Sequence, residues 1–111
     1  MTSRTRYDNY AAAAAVEAAV ILGVSNAEQL LLEGAARAGE NDFAGACLAR
    51  AAGRLRDDDR ELERAIGLFG SISARFKRAC TMLLVPSRVA QGMQELDELG
   101  CPPPAMLTAS V

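Results

Sequence analysis

The chain has 111 residues, with 12 basic against 14 acidic side chains and neither His nor Trp. That is the length of one small domain. The missing His removes the commonest general base and metal ligand, and near-neutrality disfavours general nucleic-acid binding, which rests on phosphate neutralisation.

Half of the residues are apolar, but 22 of them are Ala, while Leu, Ile, Val and Phe together number 25. A folded core is thin at this content, and so short a domain gains from self-association. Ala, Leu, Glu, Arg and Gln dominate and alternating β-branched runs are absent, so the expected class is all-α. The expectation is a small bundle of four to five helices with one long amphipathic helix, assembling as a dimer. Residues 1–100 form its single domain and 101–111 a Pro-containing tail.

Residues 10–24 form an Ala-rich apolar run after Arg4 and Arg6. Asp8 and Glu17 interrupt it and it is too short to span a bilayer, so it reads as a helix and not as a leader or membrane anchor. This first helix is expected from Asp8 or Asn9 to Leu22, with Asp8 as N-cap and Gly23 just past the end. Tyr7 and Tyr10 sit at its start, at the core edge. Ser25-Asn26-Ala27-Glu28 has the form of a capping box for a second helix. Leu30, Leu31 and Leu32 are that helix's bulky part, and Gly39 stops it.

Asn41-Asp42 can cap a third helix. From Leu48 a heptad register runs through Ala52, Leu55, Asp59, Leu62, Ile66, Phe69, Ser73, Phe76 and Cys80 to Leu83. Read literally this is one helix of about 43 residues, roughly 65 Å long at the usual rise. That exceeds what a lone domain of this size holds, so a break is expected at Asp57-Asp58-Asp59, where Asp57 or Asp58 can cap a new helix. Pro86 ends this stretch, Ser87 caps a last helix to Leu99, and Gly100 closes it. In that helix Val89, Met93, Leu96 and Leu99 share one side.

On a helical wheel, Arg60 to Leu84 carries a seam of Leu62, Ile66, Phe69, Phe76, Cys80 and Leu83, with Ile72 beside it. Gly67, Gly70 and Ala74 form an adjacent small-residue strip, and Gly53 precedes it. Glycines inside a helix cost about 1 kcal/mol each relative to Ala, which suggests close helix packing. Arg60, Arg64, Arg75 and Arg78 gather on the far side. The seam is read as core, dimer seam or partner groove, and the arginines as its charged rim. The Arg54/Asp58 and Asp57/Glu61 spacings read as solvated surface charge.

Cys47, Cys80 and Cys101 are odd in number and widely spaced, without a C-x-x-C. Neither a disulfide framework nor a zinc site is indicated, in keeping with a reducing cytoplasm. Cys47 and Cys80 fall at core positions; Cys101 precedes three prolines. The aspartate triplet lacks the second acidic motif that a Mg²⁺-diphosphate site requires. No catalytic residue, metal ligand or cofactor is expected.

Three function classes are open to a chain of this composition. An enzyme without His can clamp an anion electrostatically, as chorismate-mutase-like helical dimers do; the length, the Arg content and Pro86-x-Arg88 are compatible, but that family's pattern of cationic residues over three helices is not matched. A helix-turn-helix would need a basic recognition helix beside Gly23 or Gly39, and none is there. A protein-interaction module fits best: an anti-activator, a secretion chaperone or an adaptor subunit. Across its whole length, in the opening MTSRTRYDNYAAAAAVEAAV and in RLRDDDRELERAIGLFGSISARFKR, the chain resembles the QslA-like quorum-sensing anti-activators of Pseudomonas. The likeness is one of overall sequence, with no signature residues to carry over. It implies an all-helical dimer that binds the ligand-binding domain of a LuxR-type regulator and covers its dimerisation surface, with no direct contact to nucleic acid or membrane.

Overall fold

A computed structural model describes residues 6–39 and 41–102, with side chains from residue 11 onward. Among the described residues there are six α-helices, one 3-10 turn and no strand. The helices are α1 (Arg6–Leu22), α2 (Ala27–Ala38), α3 (Asp42–Arg56), α4 (Asp59–Ser71), α5 (Arg75–Met82) and α6 (Val89–Leu99), with the 3-10 turn over Pro86–Arg88. None of these helices is long and apolar enough to cross a membrane. The expected residue 101–111 tail lies, from Pro103 on, outside the described residues, as do the side chains of Tyr7 and Tyr10.

The helix ends show which local signals the fold uses. Gly23, Gly39 and Gly100 all take positive φ, as expected of stop residues. Asn41 caps α3 by accepting from the Ala44 N–H at 2.9 Å. Other expected caps are not formed. Residue 6 is already helical, so Asp8 lies inside α1. Asn26 takes the N-cap position of α2 without a side-chain bond, so the Ser25/Glu28 box is not made. Glu28 is instead engaged by Arg56 of α3. Ser87 lies inside the 3-10 turn, and α6 starts from Arg88 with no side-chain cap.

The long register breaks twice. At the expected place Asp57 adopts left-handed geometry (φ 52) and Asp58 accepts from the Arg60 N–H at 2.9 Å, starting α4. The Arg54/Asp58 and Asp57/Glu61 spacings therefore do not share one helix. The second break lies at Ser73, also left-handed (φ 59). Both breaks close with the 6→1 backbone bond of a Schellman turn: Asp58 N–H to Gly53 O at 3.0 Å, and Ala74 N–H to Phe69 O at 2.9 Å. Two turns are thus closed by a non-glycine at the position where Gly is usual. The segment read as one amphipathic helix is therefore α4 and α5, which explains why there are six helices instead of four to five.

α3 is the central element. Residues 46–53 are all buried, so this helix is covered all round by α1 and α2 on one side and α4 on the other. Its small side chains allow close approach. Gly34 of α2 fits because a Cβ there would lie 3.0 Å from Val16 and 3.1 Å from Leu48. α5 packs on α4 and α6 on α5, with Gly92 of α6 against the backbone of Ala79. Phe69, Met82 and Leu96 are the largest fully buried apolar side chains.

Candidate functional site

Between residues 11 and 22 of α1 the only charged residue is Glu17. On an Ala-rich exterior helix the charge ordinarily faces water. Here it faces the core. Ala13 and Val16 are buried, Glu17 and Val20 are half-buried, and Ala11, Ala14, Ala15, Ala18, Ile21 and Leu22 are exposed. Positions 11, 15, 18 and 22 follow the i, i+4, i+7, i+11 spacing of a single face. Among the described side chains, from residue 11 to 22, the outward side of α1 is therefore an uncharged stripe, ending in Leu22 with 78 % of its surface open.

Glu17 turns inward because Arg50 lies opposite. Arg50 Nε donates to Glu17 Oε2 at 2.6 Å and Nη2 to Oε1 at 2.8 Å, a fork-on-carboxylate pair. The two side chains are only 10 % and 12 % exposed. Arg50 Nη1 donates to Thr81 Oγ1 at 3.2 Å, and that hydroxyl donates to the Lys77 carbonyl at 2.7 Å. The guanidinium also lies 5.0 Å from the Phe69 ring centroid. Burial alone would lower the Arg50 pKa, but Glu17 reverses the sign and raises it. Arg50 thereby joins α1, α3, α4 and α5. Nearby, burial and then the Glu17 charge push the Cys47 thiol up to about 11. The network holds its two charges almost sealed from water.

A second feature is a groove of about 240 Å³ between α2, α3 and the start of α4. Leu31, Leu48, Ala49 and Ala52 line it, Leu32 stands 60 % exposed at its side, and Arg56, Glu61 and Arg64 are at its charged edge. Those charges are already paired, Arg56 with Glu28 and Arg64 with Glu61.

Of the readings open for the seam, core is the one that most of its residues take. Leu62, Ile66 and Phe69 are buried within the chain's own core. Ile72 is half-buried against the same core, and Leu83 packs on Ala79, Cys80 and Leu96. Only Phe76, at 42 %, is exposed. Phe76 departs from the others because the wheel continued through Ser73, where the chain turns. In α6, Leu96 is buried and Leu99 half-buried, whereas Val89 and Met93 are exposed.

The four rim arginines are likewise divided. Arg60 and Arg64 are exposed on α4 and Arg75 on α5. Arg78 is drawn against α6, its Nη2 donating to both Glu95 oxygens at 2.9 and 2.8 Å while its buried Nε has no partner. Arg88 is similarly held by Glu63, at 2.9 and 2.7 Å. The wheel's single basic face is not formed.

Compared with protein-family models, curated proteins and solved structures, the chain matches none. The Glu17–Arg50 network was missed by sequence reading. A signal for it exists: each is the single charge in a long run of small apolar residues, 11–22 and 43–53, and the two charges are opposite.

Proposed function

We propose that the chain is a small regulatory protein-interaction module: an anti-activator that sequesters a LuxR-type quorum-sensing transcription regulator by covering that regulator's dimerisation surface. The observation that supports this most is the uncharged outward face of α1 over residues 11–22, where the one carboxylate, Glu17, is spent on Arg50. The centre of a protein interface is depleted of charge, and a charge-free helix face is suited to burial against a partner's apolar surface. The internal pairing of Arg50, Arg56, Arg78 and Arg88 fits a non-enzymatic role, since these guanidinium groups are not free to clamp an anionic substrate. The choice of partner rests on the resemblance to QslA-like anti-activators. In this reading the protein acts in the cytoplasm, as a homodimer, without cofactor and without touching DNA.

The test is direct. The purified chain is mixed with the ligand-bound ligand-binding domain of a LuxR-type regulator and analysed by size-exclusion chromatography with light scattering. The expected outcome is a mixed complex in place of the regulator dimer, together with loss of operator binding by the full-length regulator. A regulator that stays dimeric and DNA-bound in excess of the chain sinks the proposal. An adaptor or secretion chaperone would draw on the α2–α3–α4 groove, and pull-down from the source cell would then return an effector or enzyme subunit.

A further inference from the structure

Of the three cysteines, Cys47 and Cys80 are buried and Cys101 is half-exposed. Cys80 belongs to a small cluster with Ala79 and Leu96, and Cys101 packs against that same cluster. The backbone brings this about. At the end of α6, Gly100 is left-handed and the Cys101 N–H bonds to the Leu96 carbonyl at 2.9 Å, folding residue 101 back over Leu96. α5 and α6 lie close because Gly92 has no side chain: a Cβ there would lie 2.8 Å from the Ala79 carbonyl oxygen. The two cysteines therefore meet in one small apolar cluster. Cys101 also lines a cavity of about 350 Å³ with Met93, Asp97 and Pro102. Its sulfur is held only by a long contact of 3.7 Å to the Leu99 carbonyl.

We infer that Cys101 is a thiol-modification site and Cys80 its resolving partner, so that a low-molecular-weight disulfide converts the pair into an intramolecular bridge between α5 and the end of α6. The chemistry balances without a further oxidant. The Cys101 thiolate attacks one sulfur of the reagent; the new S–S bond forms as the reagent's own breaks, and the first reagent thiolate leaves and takes up the proton lost by Cys101. The Cys80 thiolate then attacks the Cys101 sulfur and expels the second reagent thiolate, which takes up the proton lost by Cys80. Two protein thiols are oxidised and one reagent disulfide is reduced to two thiols. Burial raises the Cys80 pKa against the lowering effect of Arg50 and Lys77, so its thiolate is scarce and the second step is the slower one. A mixed disulfide at Cys101 accumulates first and then disappears.

The reduced full-length protein is incubated with oxidised glutathione and followed by intact mass and non-reducing peptide mapping. The expected end product lacks two hydrogens, links the Cys80 and Cys101 peptides, and leaves Cys47 free. Cys80→Ala and Cys80→Ser, shown to be folded by circular dichroism, are expected to stop with one glutathionyl group on Cys101. Cys101→Ser is expected to react about tenfold more slowly than the natural chain. A natural chain that keeps its glutathionyl group overturns the inference. So does a bridge through Cys47, or a Cys101→Ser variant that reacts at the natural rate. Should both Cys80 variants unfold, the peptide map of the natural chain decides.

Discussion

Glu17 of α1 closes on Arg50 of α3 through two hydrogen bonds, at 2.6 and 2.8 Å, in a part of the core almost sealed from water. One consequence concerns stability. Removing one partner of a buried pair leaves the other charge uncompensated, which typically costs about 3–5 kcal/mol. Glu17→Ala and Arg50→Ala are each expected to lose about that much by urea denaturation. The double variant Glu17→Leu/Arg50→Met, which removes both charges, is expected to lose clearly less than either. A loss under about 1 kcal/mol for Glu17→Ala, the behaviour of an exposed pair, would show that the pair is not sealed.

The glycines separate into two kinds. A Cβ on Gly53 would lie 2.5 Å from Leu62 Cγ and 3.0 Å from the Leu62 backbone nitrogen, at the tight α3–α4 turn. Around Gly67 it would meet nothing within 4 Å. Gly53→Ala is therefore expected to destabilise by about 1–3 kcal/mol through overpacking, despite alanine's better helix propensity. Gly67→Ala is expected to stabilise by about 0.5–1 kcal/mol. Thermal unfolding of the two variants side by side checks the contrast, and opposite signs are the outcome required.

That contrast also shows what could be read in the sequence. Glycines at 53, 67 and 70 look alike in a one-dimensional pattern, yet only Gly53 is closely packed; Gly70 would meet only the Arg78 side chain, at 3.4 Å. The Asp57–Asp58 break was legible because an aspartate N-cap is a local signal. The Ser73 break was not, because serine stands where the turn usually advertises itself with Gly or Asn. The capping box at Ser25 failed for a non-local reason: Glu28 has a partner 28 residues away in Arg56. The all-helical class followed from composition. The exterior did not, since an Ala-rich helix with one Glu has an obvious outward side only until a buried Arg50 is known.

Alkaline pH tests the buried thiol. Cys47 is raised from 9.0 to about 11, first by burial and then by the Glu17 charge. A group whose folded pKa lies above its unfolded value favours the folded state up to the unfolded pKa and loses that advantage as pH rises toward the folded one. Stability is thus expected to fall by about 2–3 kcal/mol from this thiol alone across that window. Cys47→Ala removes the titration, so its urea midpoint is expected to decline less steeply than that of the natural chain between pH 9.0 and 11. Parallel declines would mean that Cys47 ionises as readily folded as unfolded.

The placement of the apolar residues decides which substitutions can test partner capture. Phe69 is fully buried under the Arg50 guanidinium, so Phe69→Asp would place a carboxylate in the core and report only on folding. Ala15 and Ala18 are exposed on α1, and Leu32 is exposed beside the groove. Surface substitutions of this kind usually change stability by no more than about 0.5 kcal/mol. If the uncharged side of α1 covers the partner, Ala15→Glu and Ala18→Glu place a charge in a desolvated contact and weaken capture about tenfold or more, which is about 1.4 kcal/mol or above. Leu32→Glu is then expected to bind like the natural chain. Binding isotherms of the folded variants read this directly. Full capture by both alanine variants together with loss in Leu32→Glu would move the interaction from α1 to the groove between α2, α3 and α4.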